Sequence, residues 1–466
     1  MNNTVNGTAQ LIHGDPIAPV ILGVTGILLF AVIGRFAARR LDLPTAFGEV
    51  LIGILIGNLG WYFGVDLIVV LREGPLVFDV VRQTLGGMPI AEVANSTFGP
   101  ENGAEITRIV TGPQGGQVMQ VAQTVDVFSR YGVIFMLFMV GLNTDIDEIR
   151  QVGADSVRVA IIGVVAPFAF GFGTVMLLLQ DVPLSSNLFI AATLGATSIG
   201  ITANVLEELD RANTPEGHII LGAAVGDDIL GLIILTVVSG IAVSGSIDIA
   251  EVVTIVVVSS LFLVGVVALG PAIVRFSASL LGKLDIVEAK MFTSYLFVMI
   301  LAWVANLAGL ATIVGAFAAG IVMSDSFFRH YETEGKRPIS IRELIMPLEV
   351  ILVPIFFILM GIQVKIDAFM SWPVVVVGAG LLVAAVLGKL VCGFGARPPV
   401  NRWIVGIGMM PRGEVGLVFA LIGRTLGVID DAIFSAIVLM IVITTLIAPP
   451  LLKYVVGLHE SNGGYR

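Results

Sequence analysis

Apolar stretches long enough to cross a bilayer recur along almost the whole chain. A spanning helix needs about 20 mostly apolar residues. Thirteen candidates can be marked, at residues 18–38, 45–64, 124–143, 156–179, 186–208, 217–241, 250–275, 287–307, 309–324 (a short one), 343–363, 372–394, 402–423 and 431–455. In hydrocarbon every backbone N–H and C=O must be satisfied internally, and stretches of this length do that as helices. The expected fold class is therefore an all-α membrane protein with thirteen transmembrane helices. Composition excludes the main rivals. Of 466 residues, 56% are hydrophobic and 13% charged, against about 25% charged in soluble domains. A soluble enzyme and a disordered chain are both excluded. The 54 glycines have no period of three, and suit the close approach of packed membrane helices. The single cysteine, Cys392, excludes an intrachain disulfide and a multi-cysteine metal centre. A net charge of -10 argues against nucleic acid as a partner.

Basic residues set the orientation, because short cytoplasmic loops carry the Lys/Arg excess. With the N-terminus outside, most of the 25 basic residues fall inside, including Arg35, Arg39, Arg40, Arg150, Arg158, Arg211, Arg275, Lys283 and Lys290. Only Arg72, Arg82, Arg108, Arg130, Lys365 and Arg424 fall outside, and Lys389 and Arg412 lie within spans. The chain is expected to run N-out and C-in. The sequons starting at Asn2, Asn6 and Asn95 all fall on the outer side, where acceptors belong. The first apolar stretch is followed rather than preceded by arginines, the reverse of a signal peptide. The longest outer segment, 65–123, reads as a surface cap or interfacial helices.

An ionisable residue at the centre of a span costs about 2.5–3.5 kcal/mol on insertion scales. Five lie near span centres: Asp227, Asp228, Lys389, Arg412 and Glu414. Adjacent helical residues point about 100° apart, so one of the paired aspartates can face a partner helix while the other faces a cavity. Carboxylates this close compete for protons, and an ammonium favours the ionised form of the one it pairs with. Lys389 is the one lysine near a span centre. An Asp–Lys pair beside a second Asp supplies two groups of separated proton affinity, as a proton-coupled cation carrier requires. A static buried ion pair accounts for one aspartate and the lysine but leaves the second aspartate unexplained.

Two spans make poor continuous helices. In AATLGATSIGITANVLEEL, 191–209, Gly195 and Gly200 flank Thr197 and Ser198. Such sequence inside a span marks either unwinding or close helix packing. Unwound carbonyls are good ligands for a hard cation such as sodium. In IGMMPRGEVGLVF, 407–419, Pro411 removes an N–H and Gly413 and Gly416 weaken the helix. Arg412 and Glu414 are expected to compensate the exposed half-helix ends there, or to form a local ion pair at the bend. Interruptions in the fifth and twelfth spans correspond if spans 1–6 and 8–13 are equivalent halves around a linker helix. That spacing places the halves in opposite orientation, as two inverted six-helix repeats with sites between broken helices.

The chain resembles the bacterial and archaeal sodium/proton antiporters of the monovalent cation:proton antiporter superfamily, second branch, and among them the electrogenic members with paired aspartates. The matching pieces are GEVLIGILIGN (48–58), FMLFMVGLNTDIDEIR (135–150), ATSIGITANVLEEL (196–209), EGHIILGAAVGDDILGL (216–232), LATIVGAFAAGIVMS (310–324), LMGIQVKID (359–367), LGKL (387–390) and MMPRGEVGLV (409–418). The resemblance implies the sodium/proton antiporter fold with two crossing broken helices, and a homodimer in a prokaryotic plasma membrane. It implies a dimerisation domain (1–143 and 287–363), a linker helix (250–275), a core transport domain (156–241 and 372–455) and a short cytoplasmic tail (456–466). It implies that Asp228 binds the cation or proton and that Asp227 pairs with Lys389. Thr197 or Ser198 would complete a sodium site, with no cofactor beyond the transported ions. Two protons would enter for each Na+ or Li+ that leaves. The outer segment 65–123 is longer than the family pattern, and no soluble regulatory domain follows the last span; the latter favours sodium over potassium. Potassium/proton exchange on the same scaffold is the alternative. An intramembrane aspartyl protease needs a second mid-span Asp on another helix, which the sequence lacks, and a non-transporting membrane sensor leaves the intramembrane charges without a role. The chain is accordingly expected to be a transporter and not an enzyme.

His218, at the inner entrance of the paired-Asp helix, reads as a pH sensor or a solvated loop histidine. Glu207 and Glu208 read as an inner cation funnel or a polar helix end. Glu49 reads as lining the domain interface or sitting near the inner headgroups.

Overall fold

A computed structural model describes residues 15, 17–41, 43–143, 153–179, 182–209, 211, 214–244, 249–281, 285–328 and 339–461. Among these residues the regular structure is helical throughout. The α-helices are, in chain order, α1 (Ala18–Arg40), α2 (Thr45–Tyr62), α3 (Asp66–Glu73), α4 (Leu76–Leu85), α5 (Ile90–Thr111), α6 (Gly115–Leu142), α7 (Ala154–Leu178), α8 (Leu184–Thr193), α9 (Ile199–Glu208), α10 (Pro215–Ser244), α11 (Ile249–Leu281), α12 (Ile286–Leu307), α13 (Thr312–Val322), α14 (Ile341–Ile362), α15 (Trp372–Cys392), α16 (Arg402–Gly408), α17 (Glu414–Thr425) and α18 (Asp431–Ser461). Ten of them are long and apolar enough to cross a membrane, and α8, α13 and most of α17 are shorter apolar helices. The protein is a multi-pass membrane protein.

The helices pack in two groups. In the first, α6 lies against α13 and α14, α2 against α1 and α14, and α12 against α13. In the second, α7 lies against α8, α10 and α15, and α15 against α18. The long helix α11 touches α10 on one side and α12 and α13 on the other. Glycines bring the first group together. A Cβ on Gly48 would stand 2.1 Å from the Gly34 carbonyl oxygen, and one on Gly320 would stand 2.2 Å from that of Phe138. Without a hydrophobic drive between helices in lipid, such backbone approach supplies the dispersion contacts. One core cluster crosses between the groups and joins Phe47, Met136, Phe317 and Phe356 to Phe189, Leu381, Phe419 and Phe434.

The segment 65–123 is largely helical, which fits the interfacial-helix reading of its sequence. Residues 66–111 form α3, α4 and α5, and α6 starts at Gly115 rather than near residue 124. The first turns of α6 carry Gln117, Gln120, Gln123 and Asp126 on one face, while Met119, Val121, Ala122 and Val125 are buried. Averaged hydropathy hides such a helix, and its periodicity reveals it. Helix α5 kinks at Gly99, where φ is 79° just before Pro100, a backbone conformation that glycine adopts without penalty.

Candidate ion-binding site

Helix α8 stops at Thr193 and α9 begins at Ile199, while α16 stops at Gly408 and α17 begins at Glu414. Both interruptions have local causes. Thr197 and Ser198 offer hydroxyls that compete for backbone hydrogen bonds, and Pro411 has no N–H to continue its helix. The two breaks lie against each other. Ser198 N donates to the Pro411 carbonyl at 2.9 Å, Thr197 Oγ1 to that of Met409 at 3.3 Å and Thr202 Oγ1 to that of Gly408 at 2.7 Å. Gly413 is required there, since a Cβ on it would stand 2.7 Å from Ser198 Oγ.

Two buried cations close on this crossing. Lys389 Nζ, from α15, donates to the Gly195 carbonyl at 2.6 Å and pairs with Asp227 of α10 at 3.1 Å. Gly388 lets α15 approach so closely, because a Cβ there would stand 2.4 Å from Pro167 Cα of α7. Arg412 Nη1 donates to the carbonyls of Leu194 and Ala196, and its Nη2 donates to that of Ala385 at 3.3 Å. Arg412 N in turn donates to Thr445 Oγ1 at 3.0 Å.

The three carbonyls of the first break, at Leu194, Gly195 and Ala196, are thus each held by an ammonium or a guanidinium. The sequence reading took unwound carbonyls as open cation ligands, and at these three positions they are instead occupied. An unwound segment in a low-dielectric interior leaves helix-end carbonyls that need donors, and Lys389 and Arg412 meet that need. The carbonyls that Arg412 reaches at Leu194 and Ala196 belong to the other interrupted helix, not to its own.

Asp228, the next residue after Asp227, is buried. Lys389 Nζ bonds both Asp227 and the Gly195 carbonyl, so the break lies beside the aspartate pair. The carboxylate of Asp228 and the hydroxyls of Thr197 and Ser198 are oxygen donors of the kind a hard cation takes. Among the described residues no three His, Cys, Asp or Glu side chains converge to hold a resident metal. His218 is exposed, nine positions before Asp227 and about 14 Å along the helix axis. It does not join the site. The side chains of Glu207, Glu208 and Glu414 lie outside the described set. Glu49 is buried against Arg35, between α1 and α2.

The transmembrane model described as sodium/hydrogen exchanger matches residues 26–456, a stretch that holds both breaks and both buried cations. The chain belongs to the sodium/hydrogen exchanger family. A similar relative is the high-affinity Na(+)/H(+) antiporter NhaS3 of Synechocystis, 33% identical over 459 residues, with 94% of this chain and 91% of that protein covered. The Na(+)/H(+)-K(+) antiporter GerN of Bacillus cereus is 34% identical over 368 residues, covering 77% of this chain and 90% of the relative. The fold is similar to that of the sodium proton antiporter MjNhaP1 from Methanocaldococcus jannaschii, with a TM-score of 0.60 at 16% identity over 94% of this chain and 98% of that one. These exchanger relatives are transporters rather than enzymes.

Sequence reasoning missed a second buried ionic cluster. Arg72, Glu73, Lys365 and Arg424 are all buried and connect the ends of α3, α14, α17 and α18. The sequence reading assigned the three basic residues to outer loops. The available signal was Lys365 within LMGIQVKID, where Gln363, Lys365 and Asp367 interrupt apolar sequence.

Proposed function

We propose that the chain exchanges cytoplasmic Na+ or Li+ for external H+ across the plasma membrane by alternating access, and that the exchange is electrogenic. The observation that carries this reading is the Lys389–Asp227 pair beside Asp228 at the crossing of two broken helices. A carboxylate that binds a cation or protons in turn is the minimal antiport device. Asp228 holds the ion with Thr197 or Ser198, and Asp227 releases and recaptures Lys389 as the site fills and empties. Two protons enter for each sodium that leaves. Both the charge on Lys389 and the proton count then set the net charge moved.

The ten long helices, the short α13 and two interrupted spans, α8 with α9 and α16 with α17, support a count of thirteen. With the N-terminus outside, the interruptions fall in the fifth and twelfth spans, which supports two inverted six-helix repeats. The packing groups support a core of residues 156–241 and 372–455 moving against a dimerisation unit of 1–143 and 287–363, with 250–275 as linker and two chains forming a homodimer. The relative named for both Na+ and K+ exchange keeps potassium/proton exchange as a second reading.

The test is purified protein in proteoliposomes carrying a pH-sensitive dye, with Na+, Li+ and K+ added in turn, with and without an imposed membrane potential. Sodium- or lithium-driven proton flux that responds to the potential is the expected result. Flux with K+ alone moves the protein to the second reading, and no cation-driven flux overturns antiport.

A further inference from the structure

The second ionic cluster joins the two packing groups at one end of their interface. Arg72 and Glu73 close α3, which packs on α2 and α6, and Gln363 and Lys365 follow α14; all four belong to the first group. Arg424 ends α17 and Asp431 starts α18, in the second group. Short bonds run both within and between these sets. Lys365 Nζ holds Glu73 Oε2 at 2.8 Å and Asp431 Oδ2 at 2.7 Å. Arg424 Nε donates to Asp431 Oδ1 at 2.7 Å and its Nη1 to Gln363 Oε1 at 2.6 Å. Arg424 Nη2 donates to the carbonyls of Arg72 at 3.0 Å and Glu73 at 3.3 Å. The orphan carbonyls at the end of α3 are therefore capped by a side chain from the opposite group. Gly74 makes room for it: its φ is 73°, and a Cβ there would stand 2.9 Å from Arg424 Nη1.

The other end of the same interface is gapped. A cavity of about 100 Å³ is lined by Thr45, Phe47 and Phe357 of the first group and by Ile201, Gly413 and Leu417 of the second. It reaches the crossing of the broken helices at Gly413. The groups are thus bonded past the C-terminal end of α2 and leave a cavity between them near its N-terminal end, which the Lys/Arg distribution assigns to the inside.

We propose that Glu73, Lys365, Asp431 and Arg424 form an outer latch that holds the inward-facing state, and that these bonds across the interface part when the core moves to face outward. The proposal rests on the alternating-access reading above. The cluster is suited to reversible parting because its charges balance within each group. The Glu73–Lys365 pair stays together on the first group and the Arg424–Asp431 pair on the second. Opening then leaves two neutral pairs rather than four bare buried ions, which would be far more costly.

A latch on one state makes a two-sided prediction. The apparent affinity at each face scales with the fraction of protein open to that face. Gln363→Leu removes the acceptor of the Arg424 Nη1 bond across the interface, and Asp431→Asn removes the carboxylate that Lys365 Nζ reaches across it. Side-specific KM for Na+ is measured for the full chain in right-side-out and inside-out proteoliposomes. In both variants the outer KM is expected to fall and the inner KM to rise, roughly three- to tenfold, with the double variant falling short of the product of the single effects. A KM that is unchanged at both faces, or that moves in the same direction at both, overturns the latch while the wild type still exchanges. A wild type without exchange overturns the latch and the antiport reading together.

Discussion

Lys389 and Asp227 meet at 3.1 Å with neither side chain exposed to solvent, and the same ammonium reaches the Gly195 carbonyl at 2.6 Å. One cation therefore ties the paired-aspartate helix to the break in the neighbouring span. Loss of that ammonium disturbs the charge balance and the unwound backbone at once.

Lys389→Met leaves Asp227 buried beside an unfilled acceptor. Removing one partner of a buried pair costs about 3–5 kcal/mol, so the variant is expected to melt well below the wild type. Asp227→Asn combined with Lys389→Met removes the uncompensated charge and is expected to recover much of that stability, though not exchange. Differential scanning fluorimetry in detergent reads both. In proteoliposomes the single variant is expected to be electroneutral or inactive. A Lys389→Met protein with wild-type melting and unchanged response to membrane potential would refute its charge-carrying role.

Asp228→Asn keeps the shape of the side chain and removes its capacity to trade a proton for a cation. Exchange is expected to vanish while the melting temperature stays near that of the wild type, since Asp227 and Lys389 remain paired. Full exchange activity in this variant would remove Asp228 from the mechanism.

The ionic core of this site was legible because charge inside a span is costly and therefore conspicuous. Asp227, Asp228 and Lys389 stand out in apolar sequence, and Gly195, Thr197, Ser198 and Pro411 mark where helices stop. What the sequence concealed is which carbonyls each cation reaches. Arg412 caps a break more than 200 residues away in the chain, a relation that only the crossing of the two spans creates. The second ionic cluster was harder to read for a related reason. Lys365 and Arg424 sit just past span ends and Arg72 in the segment after the second span, where basic residues are ordinary, and their burial depends on α3, whose amphipathic turns have no hydropathy peak. The glycine excess announced close helix packing, whereas the pairing of Gly48 with Gly34, or Gly320 with Phe138, required the structure.

Arg412→Lys preserves charge and loses the planar fork. One ammonium cannot serve the Leu194, Ala196 and Ala385 carbonyls together as the guanidinium does. Each buried acceptor left unmet costs about 1–3 kcal/mol. The variant is expected to melt below wild type and to lose about tenfold or more in exchange rate, a ratio equal to about 1.4 kcal/mol in the transition state. Wild-type flux and melting in Arg412→Lys would show that charge alone suffices at the crossing.

Outside the spans, the Arg108 guanidinium hydrogen-bonds Glu105 and holds its carboxyl below the usual range. A depressed carboxyl contributes stability above its unfolded pKa, and that contribution is lost as pH falls through the folded value. Acid is therefore expected to loosen this turn of α5, by a small amount because both groups are exposed. Arg108→Ala should remove the dependence. Amide exchange across residues 101–111, corrected for its intrinsic pH dependence and compared between about pH 7 and about pH 3, measures it. Equal acid sensitivity in wild type and variant counts against the pairing.

Gly53 and Gly361 bring α2 and α14 into backbone contact within the first packing group. A Cβ on Gly53 would stand 2.4 Å from the Ile358 carbonyl oxygen, and one on Gly361 would stand 2.2 Å from that of Val50. Both obstacles are backbone atoms and cannot rotate aside, so the helices themselves must separate. Overpacking of this kind costs about 1–3 kcal/mol. Gly53→Ala and Gly361→Ala are each expected to lower the melting temperature. They should combine less than additively, because the first substitution already parts the helices the second would push. Gly173→Ala in α7 is the matched control, with nothing within 4 Å of the added methyl, and alanine is the better helix former by about 1 kcal/mol. Melting curves in which Gly53→Ala is as stable as Gly173→Ala would mean that this contact does not hold the two helices together.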